Sequence, residues 1–162
     1  NALGEEVSLD DCLMAGPVVL AFYRGGWCPY CNLQLRAYSE VLHEIDELGG
    51  QLIAISPQLP DDTLDTAERV SLGFEVVSDL GKEVARRYGI VHPIPDDLRE
   101  YYSHLPAHNG DGSFELPLPA TYAIDPAGVI RFAFVDADYR RRAEPADLLA
   151  GLSTMAREEL PQ

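Results

Sequence analysis

Cysteine is scarce in this chain, three residues in 162, and basic side chains are outnumbered 27 to 12 by acidic ones. Three cysteines are too few for a disulfide scaffold, and an odd count argues against a secreted framework, so a cytoplasmic protein is expected. The formal net charge of −15 repels phosphate backbones and anionic lipid surfaces, which argues against nucleic acid and membrane as partners. No apolar run approaches the ~20 residues of a transmembrane helix. Internal repeats and low-complexity tracts are also absent. The chain opens on Asn1 rather than Met, as a trimmed piece of something longer would.

What is present is a hydrophobic content of 46%, enough for one globular domain over residues 1–162 with a sizeable core. Strand and helix patterns alternate, which is the signature of an α/β class. Val18–Phe22 reads as a buried central strand, Gln51–Ser56 as a second and Phe74–Ser78 as a third. Between them, Leu35, Tyr38, Val41, Leu42, Ile45 and Leu48 recur at helical spacing, giving one apolar face that ends at Gly49-Gly50. Pro60-Asp61-Asp62 is a start signal for a helix to about Ser71, and Gly81–Tyr88 predicts another. Five prolines and an Asn109-Gly110-Asp111-Gly112 turn cluster break the rhythm between Val91 and Pro119, an ordered insertion with a helix expected over Asp96–Ser103. Ala120–Ile124 and Val129–Val135 flank a tight turn at Asp125–Gly128 and predict an antiparallel hairpin. A last helix starts at Glu144-Pro145, with Leu148, Leu149 and Leu152 on its inner face.

The most informative stretch is the end of the first strand, where Arg24-Gly25-Gly26-Trp27 leads into Cys28-Pro29-Tyr30-Cys31. The glycines let the chain turn out of the strand, and Pro29 suits a first helical turn, where its missing N–H costs nothing. Unpaired amides at such a helix start stabilise a thiolate, so a cysteine there is nucleophilic near neutral pH, where an ordinary thiol with pKa about 8.5 is mostly protonated. Half of a zinc site is the competing reading, but zinc wants four ligands and the chain has no second cysteine pair. Cys12 reads as a small packing residue. His104 and His108 have a metal-like spacing, yet Pro106 between them is expected to break the helix that would put both on one face. His43 and His92 read as structural or solvent-facing.

Strand, Trp-Cys-x-x-Cys, helix, strand, and a later Pro119-Ala-Thr-Tyr hairpin together resemble a thioredoxin-like fold. Phe74–Asp79 followed by Glu83–Gly89 is similar to the strand and helix that peroxiredoxins add to it, and Pro119–Ile130 resembles the peroxiredoxin hairpin. Nearly the whole chain resembles the peroxiredoxin-like branch of the alkyl hydroperoxide reductase and thiol-specific antioxidant family. The resemblance implies a central mixed sheet flanked by helices, with the peroxiredoxin-type insertion. It also implies a peroxidase that needs no cofactor and no metal, reduces hydrogen peroxide or organic hydroperoxides, and is regenerated by thioredoxin, glutaredoxin or glutathione. An acidic surface and exposed β edges fit a monomer and a homodimer equally well.

Within that resemblance Cys28 and Cys31 are the catalytic residues, and Trp27, Pro29, Pro119, Thr121, Arg24 and Arg141 the supporting ones. Counting from Phe22-Tyr23, the peroxide-attacking position of peroxiredoxins falls on Cys31, whereas thioredoxins and glutaredoxins use the first cysteine, here Cys28. The count slightly favours Cys31 for peroxide and Cys28 for exchange with a reducing partner. Peroxiredoxins carry an arginine where this chain has Pro119, which by the thioredoxin analogy is expected to be cis and packed on the pair. A replacement guanidinium is expected from Arg24 or from the run Arg140-Arg141-Arg142, with Tyr139 beside it; a solvated run is the alternative. Two other functions remain open: exchange with protein disulfides, and a redox-sensing or binding module without turnover.

Overall fold

The computed structural model describes residue 1 and residues 3–60 and 72–158. The helix expected from Pro60 to about Ser71 lies, beyond its first residue, outside the described residues. Ser8 opens helix α1 (Leu9–Ala15), its hydroxyl accepting the Asp11 N–H at 3.3 Å. Gly16 follows, where a Cβ would sit 2.2 Å from the Gly49 carbonyl oxygen, so this close passage of two turns requires glycine.

Strand β1 (Val18–Phe22) is buried at every position. Helix α2 (Pro29–Glu40) and helix α3 (Leu42–Glu47) replace the single helix expected here. They part at Val41, whose φ of −107° and ψ of 15° are not helical and whose N–H turns back to Tyr38 O. A β-branched side chain loses χ1 freedom against the preceding turn, which makes Val41 a natural place for the break. Leu35, Tyr38 and Ile45 are nevertheless all buried.

Strand β2 (Gln51–Ser56) and strand β3 (Glu75–Ser78) follow. The helix expected from Gly81 becomes a 3₁₀ turn at Leu80–Lys82 and a short helix α4 (Glu83–Arg87). Gly81 and Lys82 both have positive φ, 74° and 62°, so regular helix begins only at Glu83. The Asp79 carboxylate accepts the Val84 and Ala85 amides at 3.0 and 2.8 Å and so caps it.

Strand β4 (Val91–Pro93) pairs antiparallel with strand β5 (Glu115–Pro117), and helix α5 (Leu105–His108) lies between them. In place of a helix over Asp96–Ser103 there is a 3₁₀ turn at Asp96–Leu98 and a run of turns. Leu98, Arg99 and Ser103 donate to carbonyls three residues back, the tighter pattern that does not propagate into α-helix. Ile94, Leu105 and Leu116 form a small core of their own, with Trp27, Tyr102 and Phe114 packed against it. Lys82, fully buried, ties this lobe to the body through Asp111 and the Ser113 hydroxyl, the latter at 3.0 Å.

Strand β6 (Ala120–Ile124) and strand β7 (Ile130–Val135) make the expected hairpin, and helix α6 (Pro145–Glu158) closes the described chain. The sheet order is β3-β2-β1-β6-β7, with the first three strands parallel and the last two antiparallel. Alternate residues of β1 feed two cores. Val18, Leu20 and Phe22 join Ile53, Ile55 and Tyr122, while Val19 and Ala21 join Tyr38, Ile45, Leu148 and Leu152.

Leu118–Pro119 is trans, because no described peptide bond is cis, and the expectation of a cis proline is corrected. The Leu118 N–H donates to Ile90 O at 2.7 Å, prolonging the pairing of β4 with β5, and Ala120 enters β6 directly. The chain therefore runs extended across the proline, as the residue before a trans proline prefers. No described helix is long and apolar enough to cross a membrane.

Candidate active site

The sheet delivers the site at the end of β1. Tyr23 still donates to Ile55 O at 3.0 Å, so the strand pairing persists one residue past β1 and the loop starts at Arg24. Gly25 has a φ of 145°, and a Cβ there would fall 2.4 Å from Trp27 Nε1, so only glycine lets the indole fold back on the turn. Gly26 donates to Gln58 Oε1 at 2.7 Å, Asn32 Nδ2 donates to Gly26 O at 2.8 Å, and Cys28 N donates to Gly25 O at 3.0 Å. These three bonds fix the turn from both sides.

Cys28 is the cap of α2, with extended φ and ψ of −89° and 114°, and Pro29 takes the first helical position. Cys31 lies in the first turn, and both residues are buried free thiols. The Cys28 thiol is acidic, its pKa brought down to about 6, first by the hydrogen bond from the Cys31 thiol. Burial opposes this, while the Cys31 backbone amide and the charges of Arg24 and Arg142 assist it. Cys31 is pushed well above the ordinary thiol range by burial and by its neighbour. Above a pH of about 6 the negative charge of the pair therefore rests on Cys28 rather than on Cys31.

Cys31 is nonetheless the sulfur that the arginines reach. Its Sγ accepts from the Arg24 backbone N–H and from Arg142 Nη2, each at 3.4 Å. Arg142 is fixed in turn, Nη1 donating to Gln34 Oε1 at 2.8 Å and Nε to Tyr139 O at 2.7 Å. Gln34 Nε2 donates to the Tyr38 hydroxyl at 3.0 Å and to Thr121 Oγ1 at 3.3 Å, and those two hydroxyls are 2.9 Å apart. Thr121 therefore sits at the far end of a buried polar chain that ends on Cys31 Sγ.

Of the arginine run, the sequence singled out Arg141, but the structure turns Arg141 away from the dithiol and brings Arg142 to Cys31 instead. Arg141 pairs with Asp136 at 2.8 Å and is largely exposed; Arg140 pairs with Asp138 and is exposed as well. Consecutive residues on a loop diverge, so only one of three neighbouring arginines is aimed at the sulfur. Gln34 and Tyr38 were not singled out as polar site residues. The signal for Gln34 was its spacing, three residues after Cys31 and hence on the same face of α2.

A cavity of about 460 Å³ opens beside Cys28, bounded by Arg24, Trp27, Tyr102, His104 and Tyr139 among others. The Arg24 guanidinium is stacked over Tyr139 at 4.3 Å, Trp27 at 5.0 Å and Tyr102 at 5.4 Å, and its Nη2 donates to the Tyr102 hydroxyl at 2.8 Å. Pro106 does not separate the two histidines as expected. It occupies the first turn of α5, where proline is tolerated, and the His104 and His108 rings lie edge to face at 5.5 Å. Burial makes His104 less basic than an ordinary histidine, and His92 likewise. Among the described residues no three metal-ligating side chains cluster. His43 is exposed beside Glu47, and Cys12 lies apart, half-buried against the β1 core. Pro119 is buried where the chain enters β6.

The family model for AhpC/TSA proteins matches residues 1–133. This chain belongs to the AhpC/TSA family. Among curated relatives, the chloroplastic peroxiredoxin Q of Sedum lineare is 26% identical over 131 residues, covering 81% of this chain and 60% of that protein. The thiol-disulfide oxidoreductase ResA of Halalkalibacterium halodurans is 28% identical over 110 residues, covering 66% of this chain and 61% of that one. The chain spans between about half and three fifths of the length of the curated relatives it matches. The crystal structure of peroxidoxin BcpB from Mycobacterium tuberculosis superposes with a TM-score of 0.76 at 19% identity, covering 99% of this chain and 90% of that one. The fold is thus the thioredoxin-like fold of peroxiredoxins, as the family resemblance implied.

Proposed function

We propose that the protein is a thiol-dependent peroxidase working through a Cys28–Cys31 dithiol and disulfide cycle. The observation that carries this is a Cys28 thiol on the wall of a cavity, made acidic chiefly by the neighbouring Cys31 thiol, in a chain of the AhpC/TSA family. The Cys28 thiolate attacks the outer oxygen of a hydroperoxide. An S–O bond forms, the O–O bond breaks, and the alkoxide or hydroxide leaves with a proton, so that Cys28 becomes a sulfenic acid. The Arg24 guanidinium and Tyr102 hydroxyl on the same wall stabilise the departing oxygen. Cys31 then condenses with the sulfenic acid, releasing water and closing the disulfide.

An external thiol, whether thioredoxin, glutaredoxin or glutathione, supplies the two electrons that reopen it by attacking Cys28. Cys31 then leaves as a thiolate, and this is where its two donors, the Arg24 N–H and Arg142, matter most. The residue count from Phe22-Tyr23 points to Cys31 as the sulfur that meets peroxide. Access and acidity favour Cys28: both thiols are buried, but Cys28 lines the cavity and Cys31 does not.

The test is sulfenic acid trapping after one equivalent of hydrogen peroxide, followed by mass spectrometry. Cys31→Ser is expected to accumulate the adduct at Cys28, and Cys28→Ser to form none. An adduct at Cys31 in Cys28→Ser at a comparable rate would move the attack to Cys31. No oxidation of the reduced wild-type protein would defeat the peroxidase reading. Exchange with protein disulfides would then be the better one, favoured by the match to ResA.

A further inference from the structure

Arg24 is 4% exposed, yet its guanidinium has one hydrogen-bond acceptor, the Tyr102 hydroxyl, and otherwise meets aromatic faces. Asp136 and Asp138, on the loop that carries Tyr139, pair with Arg141 and Arg140, and among the described residues no carboxylate pairs with Arg24. A buried cation without a counter-anion is costly, and stacking on three rings offsets only part of that. Arg24 lines the cavity beside Cys28, whereas Arg142 is turned to Cys31 Sγ and Gln34. That cavity, about 460 Å³, has the size of a small-molecule site and far exceeds what hydrogen peroxide fills. Its walls are aromatic apart from Arg24, Cys28, Pro29 and two histidines, one of them, His104, with a buried Nε2 that has no hydrogen-bond partner.

We propose that the organic molecule that reacts with Cys28 carries a carboxylate, received by Arg24, with its hydrocarbon lying against Trp27, Tyr102 and Tyr139. Recognition is by charge-assisted hydrogen bonds to the free N–H groups of a planar guanidinium, which suits a carboxylate better than any neutral headgroup. The carboxylate belongs either to a hydroperoxide being reduced or to a thiol acting as reductant. This assignment to the reaction rests on the cycle proposed above. In the first case the two-electron balance is that already given, the carboxylate staying on Arg24 while the alkoxide is protonated and released. In the second the ligand's thiolate attacks Cys28 of the disulfide, forming a mixed disulfide and freeing the Cys31 thiolate, and a second thiol completes the reduction.

Trp27 is the sole tryptophan and touches Arg24, so binding is read by its fluorescence. The non-reacting probes are decanoate and decanol, which differ in the headgroup alone. Decanoate is expected to bind at least about tenfold more tightly to the wild-type protein, the factor a hydrogen bond to a charged group supplies. Arg24→Met should abolish the difference and Arg24→Lys, which keeps the charge, should retain most of it. Equal binding of the two probes, or a preference that survives in Arg24→Met, would overturn the site.

Two kinetic arms identify the source of the carboxylate. One compares oxidation of the reduced protein by a hydroperoxy fatty acid and by its methyl ester, with hydrogen peroxide as reference. The other compares reduction of the disulfide by 3-mercaptopropionate and by its methyl ester. A preference of about tenfold for the acid in one arm assigns the ligand to that half-reaction. Equality in both arms overturns the proposal even where decanoate binds. Failure of every peroxide to oxidise Cys28, with the decanoate preference intact, would instead overturn the peroxidase reading and leave the carboxylate site standing. All comparisons are ratios within one protein, so they hold even where a variant changes the acidity of Cys28.

Discussion

Arg142 Nη2 lies 3.4 Å from Cys31 Sγ, while the Arg142 Nη1 is held by Gln34 Oε1 at 2.8 Å. The guanidinium therefore bridges a sulfur and an amide that both project from α2, and its direction is set by Gln34 together with the Tyr139 carbonyl of its own loop. In the proposed cycle this contact would let Arg142 stabilise negative charge on Cys31 and contribute little at the oxygens of a peroxide beside Cys28.

Arg142→Met should accordingly slow reduction of the disulfide more than its formation. Loss of one charge-assisted donor to a leaving thiolate corresponds to about tenfold in the rate of exchange with an external dithiol. Oxidation by peroxide should fall by a smaller factor, because Arg142 ranks below the Cys31 hydrogen bond in acidifying Cys28. Stopped-flow measurement of the two half-reactions checks this. An equal loss in both would place Arg142 at the oxidation step instead.

The acidity of Cys28 sets the pH dependence. Its pKa of about 6 is lowered from the ordinary value, so the thiolate is present above that pH and is lost as the pH falls through it. The rate of alkylation by iodoacetamide is expected to rise through a midpoint near 6 and to be flat at neutral pH. In Cys31→Ala the main cause of the shift is removed, and the midpoint should move up toward about 8.5. A midpoint that stays near its wild-type position in Cys31→Ala would show that the helix start and the arginines acidify Cys28 without Cys31.

Lys82 gives a prediction about stability. Its side chain is fully buried and its charge is met by Asp111, whose own side chain is about a quarter exposed. Asp111→Asn leaves an uncompensated buried cation and should destabilise the protein by about 3 kcal/mol, the lower end for breaking a buried pair. Denaturant titration reads the global loss. Amide exchange should place the first effect in the segment from Asn109 to Ser113, with Ser113 as the remaining partner of Lys82.

Much of this was legible in the chain. β1, β2 and β6 have the bounds their apolar runs predict, because continuous β-favouring residues between glycine and proline turns leave few alternatives. The start of α2 at Cys28-Pro29 was equally clear, since a cap and a proline at the first turn are local signals. What sequence did not disclose depends on contacts distant in the chain. The choice of Arg142 over Arg141 is made by Gln34, 108 positions away, and the Tyr38–Thr121 contact spans 83. The helix expected at Asp96–Ser103 failed for a similar reason. Tyr102 and Leu105 are drawn toward Arg24 and the Ile94–Leu116 core, which the turns permit.

The bonds that brace the loop around Gly26 also bear on damage. A sulfenic acid that lingers meets a second peroxide and passes to the sulfinic state, which is not readily recovered. Here Cys31 sits one helical turn from Cys28 and is the chief cause of its acidity, so in the proposed cycle the two sulfurs are already neighbours when condensation begins. Such held pairs react as if one partner were present at effective concentrations of order 10⁵ M or more. In that cycle geometry would set the race between ring closure and a second oxidant, and the loop that fixes the dithiol would also protect it from over-oxidation.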